Sequence, residues 1–148
     1  MAAAGVRPGE LVLDIGAGQG ALTRHLVRAG ARVIAVELHP GRVRVLRHRF
    51  PEVTVVSADA ASLRLPSRPF RVVANPPYGI SAAVLRLVLA PGSNLIAADL
   101  VLQRAVVRKH APGRTRRFTL SAGLALPRRA FVPPPHVDSA MLVVRRRR

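Results

Sequence analysis

The stretch that decides the fold is Glu10-Leu11-Val12-Leu13-Asp14-Ile15-Gly16-Ala17-Gly18-Gln19-Gly20. Its first half is a short apolar run with the character of a buried strand, and its second half has three glycines in alternate positions. The spacing of Leu22, Leu26 and Val27 predicts a helix after the glycines, and Gly30 stands where that helix would end. A strand, a glycine turn and a helix in this order predict the opening of a doubly wound α/β sheet.

The alternation of strand and helix continues along the chain. Apolar runs predict the further strands, and helical spacing of apolar residues predicts the helices between them. The predicted strands are 32–36, 53–56, 70–75, 94–102, 118–126 and 137–144, the predicted helices are about 41–50, 81–89 and 103–110, and the predicted loops are 61–68 and 111–117. With 148 residues and no internal repeat, we expect a single domain over residues 1–148.

Two acidic residues follow predicted strands where a nucleotide-binding sheet needs them. Glu37 lies about 20 residues beyond the glycine turn, the usual position of an acid that binds ribose hydroxyls. Asp59 follows the third strand. Each also has a plainer interpretation, Glu37 as a charged strand end and Asp59 as a helix or turn cap. Because the carboxyl ends of parallel strands share one edge, we expect the glycine turn and both acids to lie together there.

The fourth predicted strand ends in Asn75-Pro76-Pro77-Tyr78. The prolines cannot continue the strand, and the residue before a proline is extended, so Asn75 stays at the strand's tip. The side-chain oxygen of Asn75 and the Pro76 carbonyl can accept hydrogen bonds from an amine, while Tyr78 can stack on a ring. The plainer interpretation is a proline-rich turn with a capping Asn. The set predicts a pocket for a planar substrate that carries an NH2 group.

The charge balance of the chain is strongly positive. Lys and Arg number 24 against 7 Asp and Glu, which gives a formal net charge of +17, and Lys109 is the only lysine. Release of counterions from phosphates drives the binding of such a chain to polyanions, and arginine makes bidentate phosphate contacts. A GC-rich genome also raises the arginine content. We favour RNA or DNA as the partner, ahead of an acidic membrane surface.

Several classes of protein are excluded by what the sequence lacks. The absence of cysteine excludes disulfides and thiol-ligated metal sites, and the five histidines are scattered, so no metal is expected. No apolar stretch reaches membrane-spanning length, and Met1-Ala2-Ala3-Ala4-Gly5 lacks the basic and apolar regions of a signal peptide. We therefore expect a cytoplasmic protein without a membrane partner.

The glycine turn distinguishes two kinds of nucleotide-binding fold. It does not meet the G-x-G-x-x-G pattern of nicotinamide dehydrogenases, because the third glycine comes one residue early. The layout instead resembles the S-adenosylmethionine-dependent methyltransferases of the Rossmann-like class. That resemblance implies an α/β fold with a mostly parallel, doubly wound sheet and a final antiparallel strand, and S-adenosylmethionine as the cofactor. It also implies that Asp14 and the turn face the methionine part, Glu37 the ribose and Asp59 the adenine. The cofactor-binding residues that it implies are Asp14, Gly16, Gly18, Gly20, Glu37, Leu38, Asp59, Ala60 and Asn75.

Two further motifs narrow this resemblance. Asn75-Pro76-Pro77-Tyr78 resembles the motif of methyltransferases that act on planar amide or exocyclic amino nitrogens. Phe131-Val132-Pro133-Pro134-Pro135-His136-Val137-Asp138-Ser139-Ala140 resembles the late motif of rRNA adenine-N6 methyltransferases, the group of the Erm enzymes and the small-subunit rRNA dimethyltransferases. Within that group the chain is most similar to short mycobacterial Erm proteins that lack the C-terminal helical domain. Nothing before Val12 resembles the family's N-terminal Gln-Asn-Phe-Leu segment.

The family resemblance implies the catalytic residues Asn75, Pro76, Tyr78 and Phe131. By this resemblance Phe131 covers an extruded adenine on the face opposite Tyr78, as enzymes that flip bases require. The plainer interpretation of Phe131 is an anchor in the core.

We therefore expect an enzyme that transfers methyl to the N6 amine of an adenine in large-subunit (23S) rRNA and confers macrolide-lincosamide-streptogramin resistance. The alternatives are a DNA-adenine or protein-glutamine methyltransferase, and a catalytically weak RNA-binding protein of ribosome assembly. Without a C-terminal domain, we expect a monomer that contacts RNA through basic residues beside the base pocket in motif order. They are Arg104, Arg108, Lys109, Arg114, Arg116, Arg117, Arg128, Arg129 and the tail Arg145–Arg148.

Overall fold

The computed structural model of the protein describes residues 5–126 and 137–148. Phe131, Arg128 and Arg129, which the sequence proposes for base and RNA contacts, lie outside the described residues. None of the helices in these two ranges has the length and hydropathy needed to cross a bilayer.

Strands and helical segments alternate from Leu11 to His110, and three consecutive strands follow in the described chain. The strands are β1 (Leu11–Ile15), β2 (Arg32–Glu37), β3 (Thr54–Ser57), β4 (Phe70–Ala74), β5 (Leu95–Gln103), β6 (Gly113–Arg114), β7 (Phe118–Leu126) and β8 (Ser139–Arg146). The α-helices are α1 (Ala21–Arg28), α2 (Pro40–Arg49), α3 (Ser81–Val88) and α4 (Arg104–His110). Two short 3₁₀ turns lie at Ala60–Ser62 and Tyr78–Ile80.

All eight of these strands form one sheet in the order β3-β2-β1-β4-β5-β8-β7-β6. The first five are mutually parallel, and β8 is antiparallel to both of its neighbours, β5 and β7. This topology confirms the predicted doubly wound, mostly parallel sheet with a final antiparallel strand. The chain's last strand therefore lies inside the sheet, between two strands that precede it.

The parallel strands give the sheet two distinct edges. β1 to β5 all end at one edge, here called the carboxyl edge, and all begin at the other, the amino edge. β8 runs the opposite way: Ser139 pairs with Gln103 at the carboxyl edge, and Arg145 pairs with Ala97 near the amino edge. One strand thus connects the two edges of the sheet.

Helices cover both faces of the parallel part of the sheet, so its strands are apolar on both sides. On one face α1 buries Leu26, α2 buries Leu46, and Phe50 directly after α2 packs in the same cluster with residues of β1 and β2. On the other face α3 and α4 contribute Val84 and Val107 to the larger core cluster. That larger cluster also takes the buried side chains of β5, β7 and β8. The core holds the strand ends in place and so positions the loops that follow them.

Most predicted elements agree with the structure to within one residue at each end, and three places differ further. The predicted loop 111–117 contains the short strand β6, which pairs with β7 through Gly113 and Leu120. The predicted loop 61–68 begins inside a 3₁₀ turn. The last strand begins at Ser139 and ends at Arg146, two residues later at each end than predicted. Its bounds are set by pairing, because Ser139 pairs with Gln103 of β5 and Arg146 pairs with Phe118 of β7.

Candidate active site

The glycine turn after β1 lies directly against the proline segment after β4. The Gly16 N–H donates to the Val36 carbonyl at 2.9 Å, which ties the turn to β2. Gly16 has a left-handed backbone with φ of 76°, and a Cβ built there would lie 2.7 Å from Cδ of Pro77. No other residue fits this position without displacing the proline. Gly16 and Pro77, which are 61 positions apart in the chain and belong to two sequence motifs, are therefore in van der Waals contact.

Glu37, at the end of β2, holds the middle of the glycine turn. Its Oε1 accepts a hydrogen bond from the Gly18 N–H at 2.8 Å, and its Oε2 accepts from the N–H groups of Leu38 and His39, both at 3.0 Å. The side chain is buried within the carboxyl edge. A carboxylate has about four acceptor positions, so these three bonds leave one on Oε1 for a ligand hydroxyl.

Asp14 lies behind the turn. It is buried, and its Oδ2 accepts a hydrogen bond of 2.7 Å from the hydroxyl of Thr23 in α1. Burial raises the pKa of the Asp14 carboxyl from 3.8 to about 7; the Thr23 hydrogen bond opposes this rise, and the charge of Glu37 adds to it. In this position Asp14 fastens the strand to the helix that follows it.

A cleft of about 130 Å³ opens at the carboxyl edge between the ends of β2, β3 and β4. Asp59 lines it, and Oδ1 of that side chain also caps the following 3₁₀ turn through the Ala61 N–H at 3.0 Å. The interpretation of Asp59 as a turn cap is therefore confirmed, and its contact with a ligand stays a prediction. The exposed side chain of Leu38 gives the cleft an apolar wall. The lining residues are Gly16, Val36, Glu37, Leu38, Ala58, Asp59, Ala60, Pro77 and Ile80.

Asn75-Pro76-Pro77-Tyr78 begins where β4 ends, with Pro76 buried and Asn75 exposed. Within residues 5–126 and 137–148, the carboxamide of Asn75 makes no hydrogen bond, so its oxygen is available to a substrate. The Tyr78 hydroxyl is hydrogen-bonded to Oγ of Ser139, the first residue of β8. The segment after β4 and the late motif, 61 residues apart, thus meet at the carboxyl edge.

The sequence-predicted cofactor residues fall into two groups. The cleft brings together Gly16, Glu37, Leu38, Asp59 and Ala60, as expected. Asp14, Gly18, Gly20 and Asn75 are not in its lining. Asp14 and Gly20 pack into the protein: a Cβ on Gly20 would collide with the ring of Phe50. Gly18 and Asn75 lie at the carboxyl edge beside the cleft.

The basic residues do not all lie where motif order places them. Arg104 begins α4 at the carboxyl edge, where its N–H donates to the Asp138 carbonyl at 2.8 Å. Arg117 and Arg146 instead lie at the amino edge, because Phe118 pairs with Arg146 and both arginines donate to the Ser93 carbonyl before β5. The expectation that the late arginines lie beside the base pocket is therefore wrong for this group. The physical reason is the antiparallel course of β8, which carries its end away from the site.

Sequence reasoning missed several residues of the site, among them Val36 and Ala58, which line the cleft. Ser139 stands inside the late motif, so that motif could have suggested it. Ile80 follows the proline segment closely enough to line the same cleft, which the proximity in sequence could also have suggested. Thr23 had no signal, because only the contact between β1 and α1 shows that its hydroxyl reaches Asp14.

The sheet order, the glycine turn and the acids after β2 and β3 define the class of Rossmann-like methyltransferase folds. A sequence model of the family described as ribosomal RNA adenine dimethylase matches residues 1–148, and the chain belongs to that family.

Similar proteins include resistance proteins and small-subunit enzymes. The mycinamicin-resistance protein MyrB of Micromonospora griseorubida is 37% identical over 147 residues, which cover 92% of this chain and 47% of that protein. A probable ribosomal RNA small subunit methyltransferase A of Methanopyrus kandleri is 36% identical over 155 residues, which cover 95% of this chain and 55% of that protein. The crystal structure of the 23S rRNA methyltransferase ErmE matches with a TM-score of 0.87 and 32% identity, over 97% of this chain and 64% of that one.

The chain spans about half the length of the curated relatives it matches. The match therefore concerns the part of those proteins that corresponds to the sheet and its carboxyl edge.

Proposed function

We propose that the protein transfers a methyl group from S-adenosylmethionine to the N6 amine of an adenine in large-subunit (23S) rRNA. The observation that carries the proposal is the contact between the cleft and the proline segment. Pro77 lines the cleft and touches Gly16, so a cofactor in the cleft and an amine at Asn75 would be neighbours. Holding two reactants close and in line lowers the barrier without any acid, base or metal from the protein.

The proline segment supplies the groups that an adenine amine needs. That amine is a poor nucleophile, because its lone pair is delocalised into the ring. Acceptance of both N–H groups by the Asn75 side-chain oxygen and the Pro76 carbonyl favours a more tetrahedral, nucleophilic nitrogen. Tyr78 offers a ring on which the base can stack, and Ser139 holds the hydroxyl of that ring.

The residues at the carboxyl edge fit the nucleoside end of the cofactor. Glu37 keeps one acceptor position for a ribose hydroxyl, and Leu38 and Ile80 offer apolar contacts to a base. The cleft is smaller than the roughly 300–1,000 Å³ of typical small-molecule sites, so it encloses only part of the cofactor. When bound, S-adenosylmethionine supplies an electrophilic methyl group on sulfur, and transfer leaves S-adenosylhomocysteine and one proton. The chain's own contribution is to orient the two reactants and to exclude water between them.

Large-subunit rRNA is the substrate that we favour. The similarity to MyrB and to ErmE supports it, and with it a role in macrolide-lincosamide-streptogramin resistance. The rival is small-subunit rRNA, favoured by the 36% identity with the Methanopyrus kandleri protein. We further propose a monomer that acts in the cytoplasm, where rRNA is modified.

The test is methyl transfer from labelled S-adenosylmethionine to large-subunit rRNA, small-subunit rRNA, DNA and protein in parallel. We expect label on an adenine of large-subunit rRNA. Label on small-subunit rRNA alone would support the rival substrate. Label on DNA or protein alone, or on none of the four while RNA binding persists, would contradict rRNA methylation.

A further inference from the structure

A basic pocket lies at the amino edge, the opposite edge of the sheet from the cleft. It has a volume of about 350 Å³ and is lined by Arg116, Arg117, Arg146, Arg147 and Arg148. We call these five residues the arginine pocket. From their placement and charge we infer that the pocket binds phosphate groups of the RNA substrate's backbone, away from the methylated base.

The backbone of the sheet brings the five arginines together. β7 begins and β8 ends at this point, with Phe118 opposite Arg146. The Arg147 N–H donates to the Arg117 carbonyl at 2.7 Å, which extends the ladder beyond the last residue of β8. The cluster is therefore part of the sheet and not a chance meeting of surface side chains.

Neutral oxygens hold three of the guanidinium groups in place. Arg117 and Arg146 both donate to the Ser93 carbonyl oxygen, and Arg147 donates to the Thr115 carbonyl at 3.1 Å and to the Arg116 carbonyl at 3.3 Å. Carbonyl groups orient the arginines without cancelling their charge. Side chains oriented in this way lose less conformational entropy when they bind a phosphate.

Carboxylates pair with other arginines instead. Within residues 5–126 and 137–148, the ion pairs join Arg71 to Glu10 and Arg145 to Asp99. Neither of these ion pairs involves a guanidinium group of the arginine pocket. Like charges this close repel one another, and a bound polyanion relieves that repulsion. Arginine also forms bidentate hydrogen bonds with phosphate oxygens, which makes phosphate the matching ligand.

The distance to the base pocket shows which part of the RNA would bind. Ser139 and Arg146 are seven residues apart on β8, about 23 Å at 3.3 Å per residue. The nucleotides directly beside the target adenine lie at the carboxyl edge, so a phosphate in the arginine pocket would come from a part of the RNA about 23 Å away from the base. This inference rests on the RNA substrate of the proposed function.

The test compares two variants that each lose two positive charges. Arg116→Gln/Arg148→Gln removes two exposed members of the pocket whose guanidinium groups make no hydrogen bonds within the described residues. The control, Arg44→Gln/Arg49→Gln, removes two exposed arginines of α2, which packs on β2 and β3 at the other end of the sheet. The probes are a transcript of the large-subunit rRNA domain that carries the methylated adenine, and a short hairpin with that adenine and its loop alone.

We expect the pocket variant to bind the domain-length transcript about tenfold more weakly than the wild type, with a salt dependence lower by about 1 to 2 units of slope. The control variant should lose much less affinity for the same transcript. The short hairpin is kept shorter than the roughly 23 Å between the two ends of β8, so with this RNA the two variants should differ little in affinity. Equal losses in both variants, or an equal loss of the pocket variant with both RNAs, would overturn the inference.

Two further measurements separate this inference from its rivals. The first is binding to vesicles of phosphatidylglycerol. If the wild type binds these vesicles and the pocket variant does not, while the variant keeps its RNA affinity, the pocket binds a membrane surface and the inference is overturned. Methyl transfer by the wild type to the domain-length transcript tests the proposed function separately. If the wild type transfers methyl but the pocket and control variants bind the transcript equally well, the inference about the arginine pocket is refuted and the proposed function stands. If the two variants differ in RNA affinity but the wild type transfers no methyl, only the proposed methylation is refuted.

Discussion

The hydroxyl of Tyr78 is hydrogen-bonded to Oγ of Ser139, which joins the segment after β4 to the first residue of β8. Ser139 is buried and paired in the sheet with Gln103 on one side and Leu126 on the other. The tyrosine on which the substrate base is proposed to stack is thus held by the sheet itself. The hydrogen bond restrains the ring in one orientation before any substrate arrives.

Ser139→Ala should therefore slow methyl transfer without weakening cofactor binding. A hydrogen bond of this kind contributes about 0.5–1.5 kcal/mol, so we expect kcat to fall up to about tenfold. Tyr78→Phe removes the other partner of the same hydrogen bond and should lower kcat by a similar factor. The double variant should then lose little more than either single one. Additive losses, or a Ser139→Ala enzyme with unchanged kcat, would show that the bond does not position the ring.

Asn75→Ala should abolish methyl transfer and leave the affinity for S-adenosylmethionine nearly intact, because the exposed carboxamide is proposed to bind the substrate amine. Transfer from labelled cofactor and calorimetric titration measure the two properties. Asn94→Ala is the matched control, since Asn94 donates to the Ser67 carbonyl at 2.8 Å near the amino edge, far from the site. A large loss of cofactor affinity in Asn75→Ala would count against its role toward the substrate.

Gly16→Ala should lower both stability and methyl transfer, because its Cβ would collide with Pro77 and displace the proline segment. Gly92→Ala is the control for backbone strain alone: its φ is 85°, and its Cβ would meet nothing within 4 Å. We expect Gly92→Ala to cost about 1–2 kcal/mol of unfolding free energy and to keep its activity. Gly16→Ala should cost more, as measured by urea denaturation. Equal stability and normal transfer in both variants would contradict the contact.

The raised pKa of Asp14 predicts a specific dependence of stability on pH. The folded protein keeps the Asp14 proton up to about pH 7, whereas the unfolded chain releases it near 3.8. The folded state therefore binds more protons between these values, and this group lowers the unfolding free energy as pH rises, by at most about 1.4 kcal/mol per pH unit. Asp14→Asn, which can still accept from Thr23, should gain stability over the wild type as pH rises through this window.

Thr23→Val provides the converse test of the Asp14 environment. The Thr23 hydroxyl is the contact that opposes the rise in the pKa of Asp14. Its removal should extend the loss of stability to higher pH. Denaturant titrations at a series of pH values measure both variants, and parallel curves for Asp14→Asn and the wild type would refute the effect of burial.

The alternation of apolar runs and helical spacing predicted most of the fold. Successive units of strand and helix leave few topologies for a parallel sheet, and the strand ends that carry Gly16, Glu37 and Asp59 met as expected. The place of β8 between β5 and β7 did not follow from the pattern, because nothing local in 139–146 records which strands it joins. The register that it adopts is a property of the packed core.

The candidate site was predictable as a set of motifs but not as a set of contacts. The apolar runs before Glu37 and Asp59 indicated that both acids follow strands. Only the folded chain shows that Glu37 accepts a hydrogen bond from the Gly18 N–H. The predicted position of Arg117 and Arg146 was wrong for the same reason. Order along the chain does not show where residues lie in the fold once a strand runs antiparallel to its neighbours. Phe131 lies outside the described residues, and its role stays a prediction.

β8 has a consequence for how a substrate would be selected. The strand is hydrogen-bonded along both sides, so the separation between Ser139 and Arg146 cannot change without breaking the sheet. If the two ends of β8 serve the base and the backbone of one RNA, the protein tests the tertiary shape of that RNA. An unfolded strand with the right sequence around the adenine would satisfy one end and miss the other. The protein would then distinguish between RNAs by their fold, because the fixed length of β8 sets the distance between the base and the bound phosphate.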